Sequence, residues 1–197
     1  MPKDETAALS LSKQDVVFKG MIWDVVSETF NYNEHQLTRQ FIKHPGAVAV
    51  IALNENQEVL LIKQYRHPVR KYLWEIPAGL LDIDGESRLD AAKRELLEET
   101  GYVADNWQDL ITFYTTPGGN DEAITVFVAR QARHQGHEIV LEGEETDLEL
   151  RWIPLADALN SVLKSEMQSP SAGYGLMALA LQLGVSPNQV HQNDQSA

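Results

Sequence analysis

Between Val16 and Phe30 (VVFKGMIWDVVSETF) and again between Gln36 and Lys43 (QLTRQFIK), β-branched and aromatic residues partly alternate with polar ones, with the turn-prone Asn31-Tyr32-Asn33 between them. That pattern predicts an N-terminal antiparallel sheet after a loosely held polar tail over residues 1–14. Pro45-Gly46 interrupts it, and the unbroken apolar run Ala47–Leu53 reads as a strand buried on both faces. After the turn Asn54-Glu55-Asn56, Glu58–Tyr65 returns as its partner, and Tyr72–Pro77 follows. The period then changes to helical. Leu89, Ala92 and Leu96 form one stripe, Ser87 with Asp90 three residues on fits an N-terminal cap, and Gly101 fits a left-handed stop, so a helix is predicted over Arg88–Thr100. Trp107–Tyr114 and Ala123–Ala129 are strand-like, separated by the turn segment 117–121; Leu148–Pro154 is a further strand. Leu155–Ser165 has helical spacing, and Ala172–Leu183 is apolar around much of its circumference, which predicts a buried helix. Strands and helices interspersed in this order predict an α/β/α sandwich around a mixed sheet. The domain reading is 1–45 as tail and antiparallel strands, 46–185 as the main domain, and 186–197 as a Gln/Asn-rich mobile tail.

The helix carries the chemistry. Glu95, Glu98 and Glu99 stand at i, i+3 and i+4 and share a face. Like charges so placed cost about 0.2–0.5 kcal/mol per pair in an isolated helix, so the choice runs against local stability and points to a site. Clustered carboxylates are what hard cations such as Mg²⁺ prefer. The plain alternative is a solvated acidic face with Arg94 paired to Glu98. Net charge sharpens the choice: at −13, with no Lys/Arg run, a nucleic-acid backbone is excluded as a partner, and a phosphorylated substrate would need cations to approach. There is no cysteine, the start MPKDETAALS lacks a signal-peptide profile, and the weakly polar run Ala172–Val185 is too short to span a membrane. On these grounds a cytoplasmic protein is expected.

Residues 79–102 (GLLDIDGESRLDAAKRELLEETGY) resemble the Nudix box, G-x5-E-x7-R-E-U-x-E-E-x-G-U, with U a bulky apolar residue. Glu86, Arg94-Glu95, Leu96, Glu98-Glu99, Gly101 and Tyr102 match it, while Gly79 lies one residue too far from Glu86, so the loop 80–85 carries an extra residue around Asp84-Gly85. The segments HPGAVAV (44–50), QYRHPVRKYLWEIPAGLLD (64–82) and PGGNDE (117–122), with Pro117 sixteen positions past Gly101, further resemble the ADP-ribose pyrophosphatase branch. Taken alone, Pro-Gly-Gly is a turn signal.

The resemblance implies a Nudix α/β/α sandwich and Mg²⁺-dependent hydrolysis of ADP-ribose to AMP and ribose 5-phosphate, with Mn²⁺ as a substitute ion. Alternatives are another nucleoside diphosphate sugar, or a sensor that binds ADP-ribose without cleaving it. It implies metal-ligand roles for Glu95, Glu99, Glu98 and the Ala78 carbonyl, orientation of the glutamates by Arg94, and support of the loop–helix junction by Glu86. It also implies a catalytic base in the acidic segment 141–148 (LEGEETDL), on Glu144 with Glu145 second. Arg66 is a candidate for the diphosphate or terminal ribose; Arg39, Met21 and Trp23 for the adenine; and Pro117-Gly118 for a substrate loop. For Trp23 a plain core aromatic is the competing reading. The branch implies a homodimer whose N-terminal sheet crosses to its partner.

Overall fold

The computed structural model describes residues 1–136 and 147–187, and the chain divides into two compact units, one of residues 1–46 with 114–123 and one of the remainder.

The first unit is a three-stranded antiparallel meander, β1 (Leu11–Lys19), β2 (Asp24–Tyr32) and β3 (His35–Lys43). The strand-like stretch 16–30, in which no internal turn was predicted, belongs to two strands. Asp24 Oδ1 takes the Gly20 N–H at 3.2 Å and closes a turn over 20–23. Apolar residues continue through that turn (Met21, Ile22, Trp23), so hydrophobic alternation could not reveal it. The strand also begins at Leu11, inside the predicted tail. The segment 114–123 joins this unit through the Ile42 N–H, which donates to the Gly119 carbonyl at 3.0 Å.

The second unit is built on the strand predicted to be buried on both faces. Every residue of β4 (Ala47–Leu53) is buried, and its side chains alternate between two cores. Val48, Val50 and Ala52 face α1 (Arg88–Thr100), whose Ala91, Ala92 and Leu96 are fully buried. Ala49, Ile51 and Leu53 face α2 (Leu155–Leu163) and α3 (Pro170–Leu183). Each buried Val, Leu or Ile contributes about 1.5–3 kcal/mol, so the strand anchors both layers. The sheet runs β12 (Glu149–Pro154), β5 (Glu58–Arg66), β4, β10 (Ala123–Arg130), β9 (Asn106–Tyr114). Two short strands extend it, β6 (Lys71–Glu75) on β5 and β7 (Ala78–Leu80) on β4. β4 and β10 are parallel while β12, β6 and β7 pair antiparallel, so the sheet is mixed, as predicted. A separate two-residue ladder joins β8 (Tyr102–Val103) to β11 (Arg133–His134). A further expectation holds only in part: α3 is not buried all round, since Tyr174 (44%), Met177 (38%) and Leu181 (84%) leave a face open.

Candidate active site

Two caps close the ends of α1. Ser87 Oγ accepts the Asp90 N–H at 3.1 Å, and Gly101, at φ 71°, donates its N–H to the Leu97 carbonyl at 2.8 Å. Ahead of the helix the Glu86 N–H donates to Ile83 O at 3.2 Å, closing a turn over 83–86.

On the polar face Arg94 is surrounded by three carboxylates. Its Nε and Nη2 donate to the two oxygens of Glu86 at 3.0 and 2.9 Å, and Nη1 donates to Glu95 at 2.6 Å and Glu98 at 3.1 Å. Hydrogen bonding to Glu86 is the main reason the guanidinium stays charged far above its ordinary range, and the same bond holds the Glu86 carboxyl below its own. Glu95 goes the other way. Burial pushes its pKa up, against the opposing pull of Arg94. At Glu99 the plain alternative of a solvated acidic face does not hold. It is 6% exposed, and its Oε2 accepts the Ala78 N–H at 2.9 Å. Counting the helix face was not enough to see this, because β7, held on β4 by the pairs Ala78↔Ala49 and Gly79↔Val48, lies over that turn of the helix.

Gly79 leaves room for a carboxylate. A Cβ built there would stand 1.9 Å from Glu95 Cδ, so only glycine admits that side chain against β7. Glu95, Glu98, Glu99 and the Ala78 carbonyl are oxygen donors, and their chemistry fits a hard divalent cation. As the side chains stand, however, no three His, Cys, Asp or Glu groups among the described residues are close enough to share one ion. Arg94 draws Glu86, Glu95 and Glu98 around itself, and Glu99 is engaged by Ala78.

Arg66 lies at the end of β5, where its Nε and Nη2 donate to Glu75 at 3.1 and 2.8 Å. Glu75 is 6% exposed. Sequence reasoning missed Glu75, although a lone acid in the apolar run YLWEIP was the available signal. In the first unit Met21 and Arg39 are exposed, and Trp23 is 42% exposed with its ring against His44. Pro117 and Gly118 form the exposed tip of a turn closed by the Gly119 N–H on Thr116 O at 2.8 Å. Glu144 and Glu145 lie outside the described residues. A crevice of about 390 Å³, lined by Leu61, Trp74, Arg151 and Asp157 among others, opens on the α2 side of the sheet, away from the carboxylate face. No helix among the described residues is long and apolar enough to cross a membrane.

Comparisons with known proteins agree with this architecture. A family model described as the NUDIX domain matches residues 43–172. An ADP-ribose pyrophosphatase of Mycobacterium tuberculosis is 40% identical over 143 residues, covering 73% of this chain and 69% of the relative. An ADP-ribose pyrophosphatase of Bacillus subtilis is 35% identical over 169 residues, covering 85% and 90%. A crystal structure of an ADP compounds hydrolase superposes with a TM-score of 0.74 at 20% identity, covering 92% of this chain and 97% of the other, and so shares the fold. Glu86, Arg94, Glu95, Glu98, Glu99 and Gly101 lie inside the matched segment, and with both the match and the relatives covering most of the chain, it belongs to the NUDIX family.

Proposed function

We propose that this protein hydrolyses the diphosphate of ADP-ribose, adding water across one P–O bond to release AMP and ribose 5-phosphate. The observation that carries the chemistry is the carboxylate face of α1 closed against Ala78 and Gly79, with Arg94 bridging Glu86, Glu95 and Glu98. The choice of ADP-ribose rests on the two relatives named as its pyrophosphatases.

Glu95, Glu98, Glu99 and the Ala78 carbonyl would hold Mg²⁺, with Mn²⁺ as a substitute. Bound there, the ion would offset the diphosphate's charge and acidify a water. Arg94 orients Glu95 and Glu98, and at Glu95 its charge opposes the burial that pushes the pKa up. Arg66, gripped on one edge of its fork by Glu75, is assigned to the diphosphate or terminal ribose. Trp23, Met21 and Arg39 are assigned to the adenine, and the tip Pro117-Gly118 to the substrate. The general base is assigned to Glu144, with Glu145 second; Glu144→Gln should lower kcat by ~10²–10⁴-fold while binding survives. Unchanged kcat in both Gln variants would remove that assignment.

The protein is read as a cytoplasmic homodimer. Its lack of cysteine suits a reducing compartment, and the exposed apolar side chains of β1 and the following turn call for a partner. A panel of ADP-ribose, ADP-glucose, GDP-mannose and diadenosine polyphosphates, with Mg²⁺ and with excess chelator, tests the reaction. The highest kcat/KM should fall on ADP-ribose, and activity should vanish in chelator. Preference for GDP-mannose would move the substrate assignment, binding of ADP-ribose without turnover would make the protein a sensor, and full activity in chelator would overturn the metal role.

A further inference from the structure

The first unit is thinly covered; all nine residues of β1 are exposed. Against that background the His44 side chain, 7% exposed, is unusual. Its contacts run in four directions. The ring lies 5.7 Å from the Trp23 ring at 31°, and Nδ1 accepts the Gly46 N–H at 3.0 Å, which leaves Nε2 as the ring's donor. Nε2 stands 3.5 Å from Glu122 Oε1, and the His44 backbone N–H donates to Asp121 Oδ1 at 2.8 Å. Asp121 is also held by Lys43, through its other oxygen.

Glu122 and Asp121 end the segment whose tip is Pro117-Gly118. The other carboxylate oxygen of Glu122 accepts the Thr115 hydroxyl at 2.7 Å, and the Thr115 N–H donates to Glu122 O at 3.2 Å. The base of the loop is therefore tied shut beside His44, while at its tip a Cβ on Gly118 would meet no atom of the described residues within 4 Å. One buried imidazole thus touches Trp23 on one side and the neck of the 115–122 loop on the other.

Resting on the substrate reading above, we propose that His44 is a positioning residue that fixes Trp23 and the 115–122 loop relative to each other, so that the base and sugar ends of a nucleoside diphosphate sugar meet preset contacts. A histidine with a merely structural role would alter stability and leave substrate affinity alone. Preset contacts lower KM without entering the chemical step.

The test is steady-state kinetics on ADP-ribose, with melting temperatures, for His44→Ala, His44→Gln, Trp23→Ala, Pro117→Ala and the double variant His44→Ala/Trp23→Ala. The expected result is a KM about 10-fold higher in His44→Ala with kcat within about two-fold. His44→Gln, whose amide N–H can reach Glu122, should recover part of that loss. The double variant should raise KM by less than the product of the two single effects. A lower melting temperature with unchanged KM in His44→Ala, or fully multiplicative effects, would overturn the proposal. If Trp23→Ala and Pro117→Ala both leave KM unchanged, the substrate assignment itself fails and the proposal falls with it. If they raise KM and His44→Ala does not, only the positioning role is lost.

Discussion

At the scale of single residues the site depends on one missing Cβ and one buried acid. Gly79 pairs with Val48 in an ordinary extended conformation, so Gly79→Ala should leave β7 in place and displace only the Glu95 carboxylate. A shift of about 1 Å in a catalytic group can cost ~10²-fold, and that is the loss in kcat expected, with the melting temperature within a few degrees of wild type. Wild-type kcat in Gly79→Ala would show that the Glu95 position is immaterial. Glu99 behaves differently because it is buried on the Ala78 N–H. Glu99→Gln keeps an acceptor for that donor and should fold normally with lost activity, whereas Glu99→Leu orphans the N–H and should also cost about 1–3 kcal/mol in denaturant unfolding.

At the scale of the element, α1 joins stability and chemistry through its N-terminus. Ser87→Ala removes the acceptor for the Asp90 N–H and should cost ~1 kcal/mol, measured by urea unfolding. The neighbouring Glu86–Arg94 pair adds a pH dependence whose sign follows from the Glu86 carboxyl, held below its ordinary 4.5 by Arg94. A depressed acid pKa contributes stability that is fully present above the unfolded value and is lost as pH falls through the folded one. The stability gap between wild type and Glu86→Gln should therefore close as pH drops below about 4.5. A gap of constant size down to pH 3 would show that the pair contributes nothing through ionisation.

At the scale of the whole molecule, the net charge of −13 keeps copies apart in general, yet β1 exposes Val16 (56%), Val17 (51%) and Phe18 (63%) in succession on an edge strand. An open edge with apolar side chains is a template for pairing with another chain. If a second copy covers it, Val16→Asp/Phe18→Asp should shift light scattering from dimer to monomer at micromolar concentration, and Leu181→Asp on the open face of α3 should not. A monomeric wild type would remove the dimer reading.

Residues 87–101 carry α1 in full, with its boundaries, caps and carboxylate spacing, because capping and helical periodicity are local. The run Ala47–Leu53 likewise carries β4, because a strand buried on both faces must be apolar throughout. Which side of the acidic helix face is closed depends on long-range packing. β7, brought across by its pairing to β4, buries Glu99 and fits Glu95 over Gly79, and contacts between residues so far apart in the chain leave no trace in periodicity. For the same reason, the turn at 20–23, the clasp of Arg66 by Glu75 and the buried ring of His44 became visible only when distant segments were packed together.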